Sequence, residues 1–351
     1  MQIITTTGCY GTGSSAVTDF LKEFGNISCR DDYEVRFVYD PDGIDELEYY
    51  LFDNPNRHNS SNQIKRFLKN METLDHVWFI KRYSKHISPL FMNEVKKYIK
   101  KIVALEYNGA WHQDVIDRGK IFYIASRISS RTSWFMHRTF KIPTSKRRCL
   151  LSDDEKAYIP IDNRDDFLRA TREFTSSIVS LINDGNNEFV CMDQLVPPSG
   201  FQRYNRYFSN LKVFLVERDP RDIFILEKHI WKSFVVPYQD VKEFCQWYRW
   251  TRGLYLREPL PENVLRIQFE DLIYKYEETT MDIVKFLGLN EEQHCERFKF
   301  FDPKRSIHNT NLWKNYPEEK ENICIIEAEL DDFCYRFPMN ESPVKDKSLI
   351  F

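Results

Sequence analysis

Two stretches of this sequence carry residue types that grip anions. The first is Gly8-Cys9-Tyr10-Gly11-Thr12-Gly13-Ser14-Ser15, between a short apolar run and a helical pattern. Its glycines let the backbone curl so that successive N–H groups point inward, and the N-terminus of the following helix adds partial positive charge. Such a cradle binds phosphate or sulfate without a side-chain cation. Ser14, however, stands where a P-loop carries the lysine that grips β- and γ-phosphates. The loop therefore suits a nucleotide other than a triphosphate. The second stretch is Arg218-Asp219-Pro220-Arg221-Asp222, directly after the apolar run Phe214-Leu215-Val216. Pro220 stands where a first helical turn begins. The planar forks of Arg218 and Arg221 suit bidentate phosphate capture. The alternative, stronger for Arg221 than for Arg218, is an ion pair with Asp219 or Asp222.

Elements able to position these groups are legible around them. Ile3 to Thr6, Glu188 to Met192, Val213 to Val216 and Val264 to Phe269 are short continuous apolar runs, the pattern of strands buried on both faces. Helical periodicity follows at Ala16 to Phe24, from a cap at Asp162 to Gly185, from Glu277 to a stop at Gly288, and from Pro317 to Tyr335. Trp247, Trp250 and Leu254 around Tyr248 read as helix core rather than a sugar-stacking platform. Strands alternating with helices predict an α/β protein, a P-loop-type three-layer fold on a mostly parallel sheet. Arg218 then emerges at the carboxyl end of a strand, where open α/β sheets bind ligands. The alternation breaks between about residues 74 and 160. This basic, aromatic, helical segment is expected to be an insertion or lid within one domain spanning 1–351.

Composition narrows the class. The chain has 351 residues, 42% hydrophobic and 15% aromatic, enough for a core without staples. A net charge of only −3 argues against a general nucleic-acid or membrane-surface binder. Charge is nevertheless uneven: Arg118 to Ser152 holds nine Lys or Arg and no Asp or Glu. That stretch is either a solvated basic face or a wall that collects anions. Eight cysteines lack CxxC or Cys–His metal spacing and read as free thiols of a reducing compartment. With no apolar run near eighteen residues and an N-terminal run too short for a signal peptide, a soluble cytoplasmic protein is expected.

The two anion-gripping stretches, followed by Phe269-Glu270-Asp271-Leu272 and Phe286-Leu287-Gly288, together resemble sulfotransferases that use 3′-phosphoadenosine 5′-phosphosulfate (PAPS). The resemblance covers residues 1–24 and about 186–335. The segment between is more loosely similar to bacterial sulfotransferase-like proteins of polysaccharide biosynthesis. It implies that Gly8, Tyr10, Gly11, Thr12, Gly13, Ser14 and Ser15 hold the 5′-phosphosulfate, that Arg218 and Arg221 hold the 3′-phosphate, and that no metal is needed. Two positions depart from the pattern. Gly11 stands where relatives often carry Lys or Arg, and Leu226 where they usually carry Ser. The implied replacements are Lys228 or Arg36 for the missing cation, and Lys304, Arg305 and Ser306 of a late basic loop for the 3′-phosphate.

The implied reaction is in-line transfer of the sulfuryl group to a hydroxyl of a glycan or glycan precursor. It leaves little covalent work for the protein beyond positioning, charge stabilisation and removal of the acceptor proton. Glu34, alternating with Arg36 in an extended segment, and His58 in a polar turn are the candidate bases, with Asp193 behind them. Their plainer roles are an ion pair, a surface histidine and a turn cap. Trp134, Phe135 and His137 are candidates for acceptor contact. Two other readings stand beside this one: a P-loop kinase or NTPase, and a non-catalytic nucleotide- or glycan-binding module of the same fold. Oligomeric state leaves no mark on the sequence.

Overall fold

A computed structural model describes residues 1–30, 33–141, 155–183 and 185–338. The chain divides into two compact units, Met1–Arg36 with Ile178–Phe351, and Phe37–Ser177. Among the described residues nine strands follow in chain order: β1 (Gln2–Thr7), β2 (Ile27–Arg30), β3 (His76–Val77), β4 (Ile80–Lys81), β5 (Val103–Asn108), β6 (Lys156–Pro160), β7 (Phe189–Asp193), β8 (Leu211–Glu217) and β9 (Val264–Gln268).

The first unit is a P-loop-type three-layer α/β fold. Its sheet runs β2-β7-β1-β8-β9 with every neighbouring pair parallel. The four apolar runs supply β1, β7, β8 and β9. The edge strand β2 escaped prediction because Ile27-Ser28-Cys29-Arg30 buries only its first residue and shows no apolar run. Helix Ser14–Lys22 covers one face with Val17, Phe20 and Leu21, beside helix Tyr276–Leu287. The latter ends, as its sequence predicts, on Gly288 in the left-handed region (φ 70°). Helix Val241–Leu256 covers the other face, where Tyr255 packs under the Arg266 guanidinium of β9.

Central β1 buries three consecutive threonines, and each is satisfied. Thr5 Oγ1 accepts from Leu195 N–H, Thr6 Oγ1 donates to Asp193 Oδ1 (2.7 Å), and Thr7 Oγ1 donates to the Val196 carbonyl (2.8 Å). These bonds pin the segment after β7 across the carboxyl end of β1, beside the phosphate loop.

Several helix readings need correction. The buried stripe of Val241–Leu256 is Val241, Phe244, Cys245, Tyr248, Arg252 and Tyr255, while Trp250 faces solvent. An arginine thus occupies a core position that residue type alone assigns to a neighbouring tryptophan. The pattern over Pro317 to Tyr335 is three pieces: 3-10 turns at Pro317–Glu319 and Asp331–Phe333 around helix Lys320–Glu329.

The second unit packs helices Arg57–Asp75 and Phe91–Ile102 with much of helix Arg164–Ser180 around Phe67, Tyr98, Phe167 and Phe174. Tyr98 stacks on Phe174 (4.6 Å between ring centres), and its hydroxyl meets Thr171 Oγ1 at 2.8 Å. Asn163, not Asp162, caps the last of these helices, accepting from the N–H groups of Asp165 and Asp166 (2.8 and 3.1 Å), and the helix ends before Gly185. The unit also carries the hairpin β3–β4, the antiparallel pair β5–β6 and the long helix Lys120–Phe140. Lys146, Arg147, Arg148 and Cys149 lie outside the described residues.

Candidate functional site

The site begins where β1 ends. Gly8 is required by space: a Cβ there would lie 2.1 Å from Thr12 Oγ1 and 2.7 Å from the Val216 carbonyl. Gly11 and Gly13 both adopt φ +80°, which favours glycine and curls the loop back on itself. Helix Ser14–Lys22 then starts with no side-chain cap and no acid in its first turn. Its N-terminal partial charge is therefore not offset by a side-chain cap or an acid in its own first turn. Gly11 also lies beneath the Trp231 ring, 3.3 Å from where its Cβ would sit, and Trp231 meets Tyr10 edge-on. A lysine or arginine at position 11 would meet both the left-handed backbone and this ring.

Arg218, at the carboxyl end of β8, is 1% exposed. Its Nη1 donates to the Gly11 carbonyl (3.3 Å), its Nη2 donates to the Asn309 carbonyl, and its guanidinium lies 4.7 Å over the Phe269 ring. Nε has no partner. Burial lowers its pKa from the usual arginine value, opposed by Asp222, Glu270 and Asp219. Phe269 is the plate between the two anchors, because a Cβ on Gly13 would strike the same ring at 2.8 Å. Phosphate loop and motif arginine are thus one assembly.

The rest of the motif holds the fold around that arginine. Asp219 caps helix Pro220–Ile225 and pairs with Arg221 (Nη2 to Oδ2, 2.6 Å), whose Nη1 also meets Glu327 (2.7 Å). Asp222 accepts from the N–H groups of Asn311 (2.9 Å) and Leu312 (2.7 Å). Glu270 accepts the Asp219 N–H (2.9 Å). Burial, reinforced by Asp219, pushes both Asp222 and Glu270 upward from the ordinary carboxylate range. Arg221 therefore makes the ion pair with Asp219 that its neighbours suggested.

The remaining candidates have separate places. Lys304 and Arg305 are exposed and Ser306 is buried in a turn capped by Asp302, shortly before Asn309 reaches Arg218. Lys228 donates to Glu319 (2.7 Å), which also meets His229. Backbone bonding of Val35 N–H to the Asp193 carbonyl (3.0 Å) holds Glu34 and Arg36 outward at the carboxyl edge of β7, where they pair with each other (3.3 Å). His58 belongs to the second unit and stacks on Trp111 (4.3 Å). Among the described residues no group of three or more His, Cys, Asp or Glu could hold a metal ion. None of the seven cysteines described is in a disulfide; Cys191, Cys245 and Cys334 are buried and Cys295 and Cys324 exposed.

Sequence reasoning missed Arg252. It is fully buried on helix Val241–Leu256, with its guanidinium 3.7 Å over Tyr248 and Nη1 donating to Thr251 Oγ1 (3.0 Å). Nε and Nη2 have no partner among the described residues. The loop residue Cys9 lies within reach: burial pushes its thiol up, while the Arg252 charge and a hydrogen bond with Thr251 pull it down. Glu217 Oε1 is also buried without a partner among the described residues, its other oxygen being taken by Arg266. Helical spacing from Tyr248 to Arg252 was the available signal, and two nearby tryptophans masked it.

Beside Arg218 a cavity of about 350 Å³ opens at the carboxyl ends of β8 and β9, lined by Arg218, Arg266, Lys275, Asp271 and Tyr335 among others. In the second unit a larger cavity of about 830 Å³ is lined by five carboxylates and five cations, with Asn62, Asn70, Thr73 and Tyr158 between them. Lys65 there bridges Asp114 (2.8 Å) and Glu155 (3.3 Å), and Arg118 also meets Glu155.

No protein family and no curated protein matches the sequence. Over 96% of its length the chain is similar to the sulfotransferase domain from the curacin biosynthetic pathway, covering 98% of that chain at 11% identity with a TM-score of 0.38. The sulfotransferase domain from the Synechococcus PCC 7002 olefin synthase is similar over 96% of this chain and 95% of that one, at 9% identity and a TM-score of 0.41. A retinol dehydratase in complex with androsterone and the inactive cofactor PAP is similar over 96% and 84%, at 14% identity and a TM-score of 0.32.

Proposed function

We propose that this chain is a sulfotransferase that moves the sulfuryl group of PAPS to a hydroxyl of a glycan or glycan precursor. The observation that carries the reading is the single assembly of uncapped helix N-terminus, left-handed glycines and buried Arg218. It concentrates donors for two anionic groups while lacking the lysine a triphosphate needs. The orphaned Nε of Arg218, and Nε and Nη2 of Arg252, are buried donors that an anionic ligand would satisfy.

In this reading Gly11 to Ser15 hold the 5′ group by backbone N–H, and Arg218 holds the 3′-phosphate. Arg252 supplies the charge beneath the loop that Gly11 gives up, since Lys228 and Arg36 are engaged by Glu319 and Glu34. Lys304, Arg305 and Ser306 lie on the segment tied to Arg218 and would close over the same phosphate. The bound donor supplies an activated S–O bond to phosphate. That bond breaks as the acceptor oxygen bonds to sulfur, and the acceptor proton passes to a base, for which Glu34 and then His58 are the candidates. Preorganised backbone donors at the departing oxygen are worth on the order of 10²–10³ in rate each. The polar cavity of the second unit balances its charges and so suits an uncharged, hydroxyl-rich ligand.

Thermal unfolding with adenosine 3′,5′-bisphosphate against ATP plus magnesium tests the donor site. At a hundredfold excess over Kd the true ligand stabilises by about 2.7 kcal/mol. Stabilisation by Mg-ATP and none by the bisphosphate would overturn the reading in favour of a kinase or NTPase. Transfer of labelled sulfate from PAPS to a glycan panel then tests turnover, and bisphosphate binding without transfer would leave a non-catalytic module.

A further inference from the structure

Helix Lys120–Phe140 of the second unit carries its apolar side chains on the wrong side for a core. At 100° per residue, Ile121, Ile124, Ile128 and Phe135 fall within an arc of roughly 60°. All four face solvent, Ile121 at 86% exposure. The helix is seated instead through Ser126 and Ser133, which are buried on the opposite side. Immediately beside the apolar stripe lies a second stripe of Lys120, Arg127, Arg131 and Arg138, all exposed, with Trp134 among them and Arg138 over its ring (5.1 Å). No ion pair involves these four cations among the described residues, and no acid occurs in the helix. Elsewhere in the same unit, the hairpin β3–β4 presents Trp78 and Phe79 at its tip, 88% and 85% exposed, with Lys81 and Lys85 exposed just after it.

We infer that the second unit docks on the surface of an anionic lipid bilayer through this helix. An apolar stripe with arginines along its flank suits the plane between headgroups and acyl chains, the stripe entering the chains while the guanidinium groups stay at phosphate level. Trp78 and Phe79 at a hairpin tip with following lysines suit the same boundary, which favours amphipathic aromatic rings. The charge is complementary to acidic headgroups, and the chain's net −3 does not oppose it. Screening confines the relevant field to about 8 Å, and the helix itself contributes cations and no acid to it. Nucleic acid would engage the cations but leave the isoleucines in water. Among the described residues no helix is long and apolar enough to cross a membrane, so the contact is peripheral. This inference does not depend on the sulfuryl-transfer reading.

The test is flotation of the full chain with vesicles of phosphatidylcholine alone or equimolar phosphatidylcholine and phosphatidylglycerol. Binding is expected only to the anionic vesicles. Arg127→Gln with Arg131→Gln should weaken it about fivefold for each arginine removed, and the effect should shrink in high salt. Ile124→Gln with Ile128→Gln should weaken it at every salt concentration. All four positions are exposed, so thermal unfolding of both variants should match the parent. Brominated lipid should quench the parent more than Trp134→Phe or Trp78→Phe. Equal binding to both vesicle types, binding indifferent to both pairs, or a dimer that the isoleucine pair converts to monomer while lipid binding is unchanged would each overturn the proposal.

Discussion

Replacing Gly13 by alanine tests whether phosphate loop and motif arginine share one support. Position 13 has φ +80°, and a Cβ there would lie 2.8 and 3.1 Å from two carbons of the Phe269 ring. Gly288 is the internal control: φ is +70°, but nothing lies within 4 Å of its added Cβ. The left-handed backbone costs alanine about 1–2 kcal/mol. Loss of glycine's freedom in the unfolded chain returns about 0.4–1 kcal/mol. Gly288→Ala should therefore destabilise by about 0–1.6 kcal/mol. Gly13→Ala adds overpacking against a buried aromatic ring, about 1–3 kcal/mol, for a total of about 1–4.6 kcal/mol. The ring it displaces is the plate under Arg218, so bisphosphate affinity should fall at least tenfold in Gly13→Ala and stay unchanged in Gly288→Ala. Urea unfolding followed by circular dichroism, with calorimetric titration of adenosine 3′,5′-bisphosphate, reads both quantities. Equal destabilisation of the two variants, or undiminished affinity in Gly13→Ala, would refute the shared support.

Two further expectations follow from buried charge and a third from the candidate base. Arg252→Met removes a cation whose Nε and Nη2 lack partners, so the ligand-free protein should keep or gain stability while bisphosphate binding weakens about tenfold or more; lost stability with unchanged binding would make Arg252 a structural stack on Tyr248. Glu270 has its pKa raised by burial and by Asp219. The folded state then binds more protons than the unfolded one above about pH 4.3, and stability should fall as pH rises from there toward neutrality. Glu270→Gln should flatten that slope in urea titrations, and an unchanged slope would place the titrating group elsewhere. Glu34→Gln should abolish sulfuryl transfer with bisphosphate binding intact. Retained turnover removes Glu34 as base and sends the same experiment to His58→Gln.

Elements whose signal is local were readable in advance. β1, β7, β8 and β9 announce themselves because strands buried on both faces must be continuously apolar. The turn at Gly8 to Ser15 does so because only glycine adopts its backbone freely. β2 went unread because an edge strand buries little and shows no apolar run. Helix Lys120–Phe140 was seen as basic and aromatic, but its outward apolar stripe emerged only once Ser126 and Ser133 were known to face inward.

Charged side chains were decided by packing. Lys228 is spoken for by Glu319 and Arg221 by Glu327, partners 91 and 106 residues away. Asp222 closes on backbone N–H groups 89 and 90 residues downstream. No local pattern encodes such pairings, since an ion's partner is set by where the chain returns in space. Gly11 shows the division most plainly. The family resemblance marks it as a position in a phosphate cradle where relatives often carry a cation. That a buried arginine on a helix more than two hundred residues later lies within reach of that cradle is a property of the packed sheet and the helix across its face.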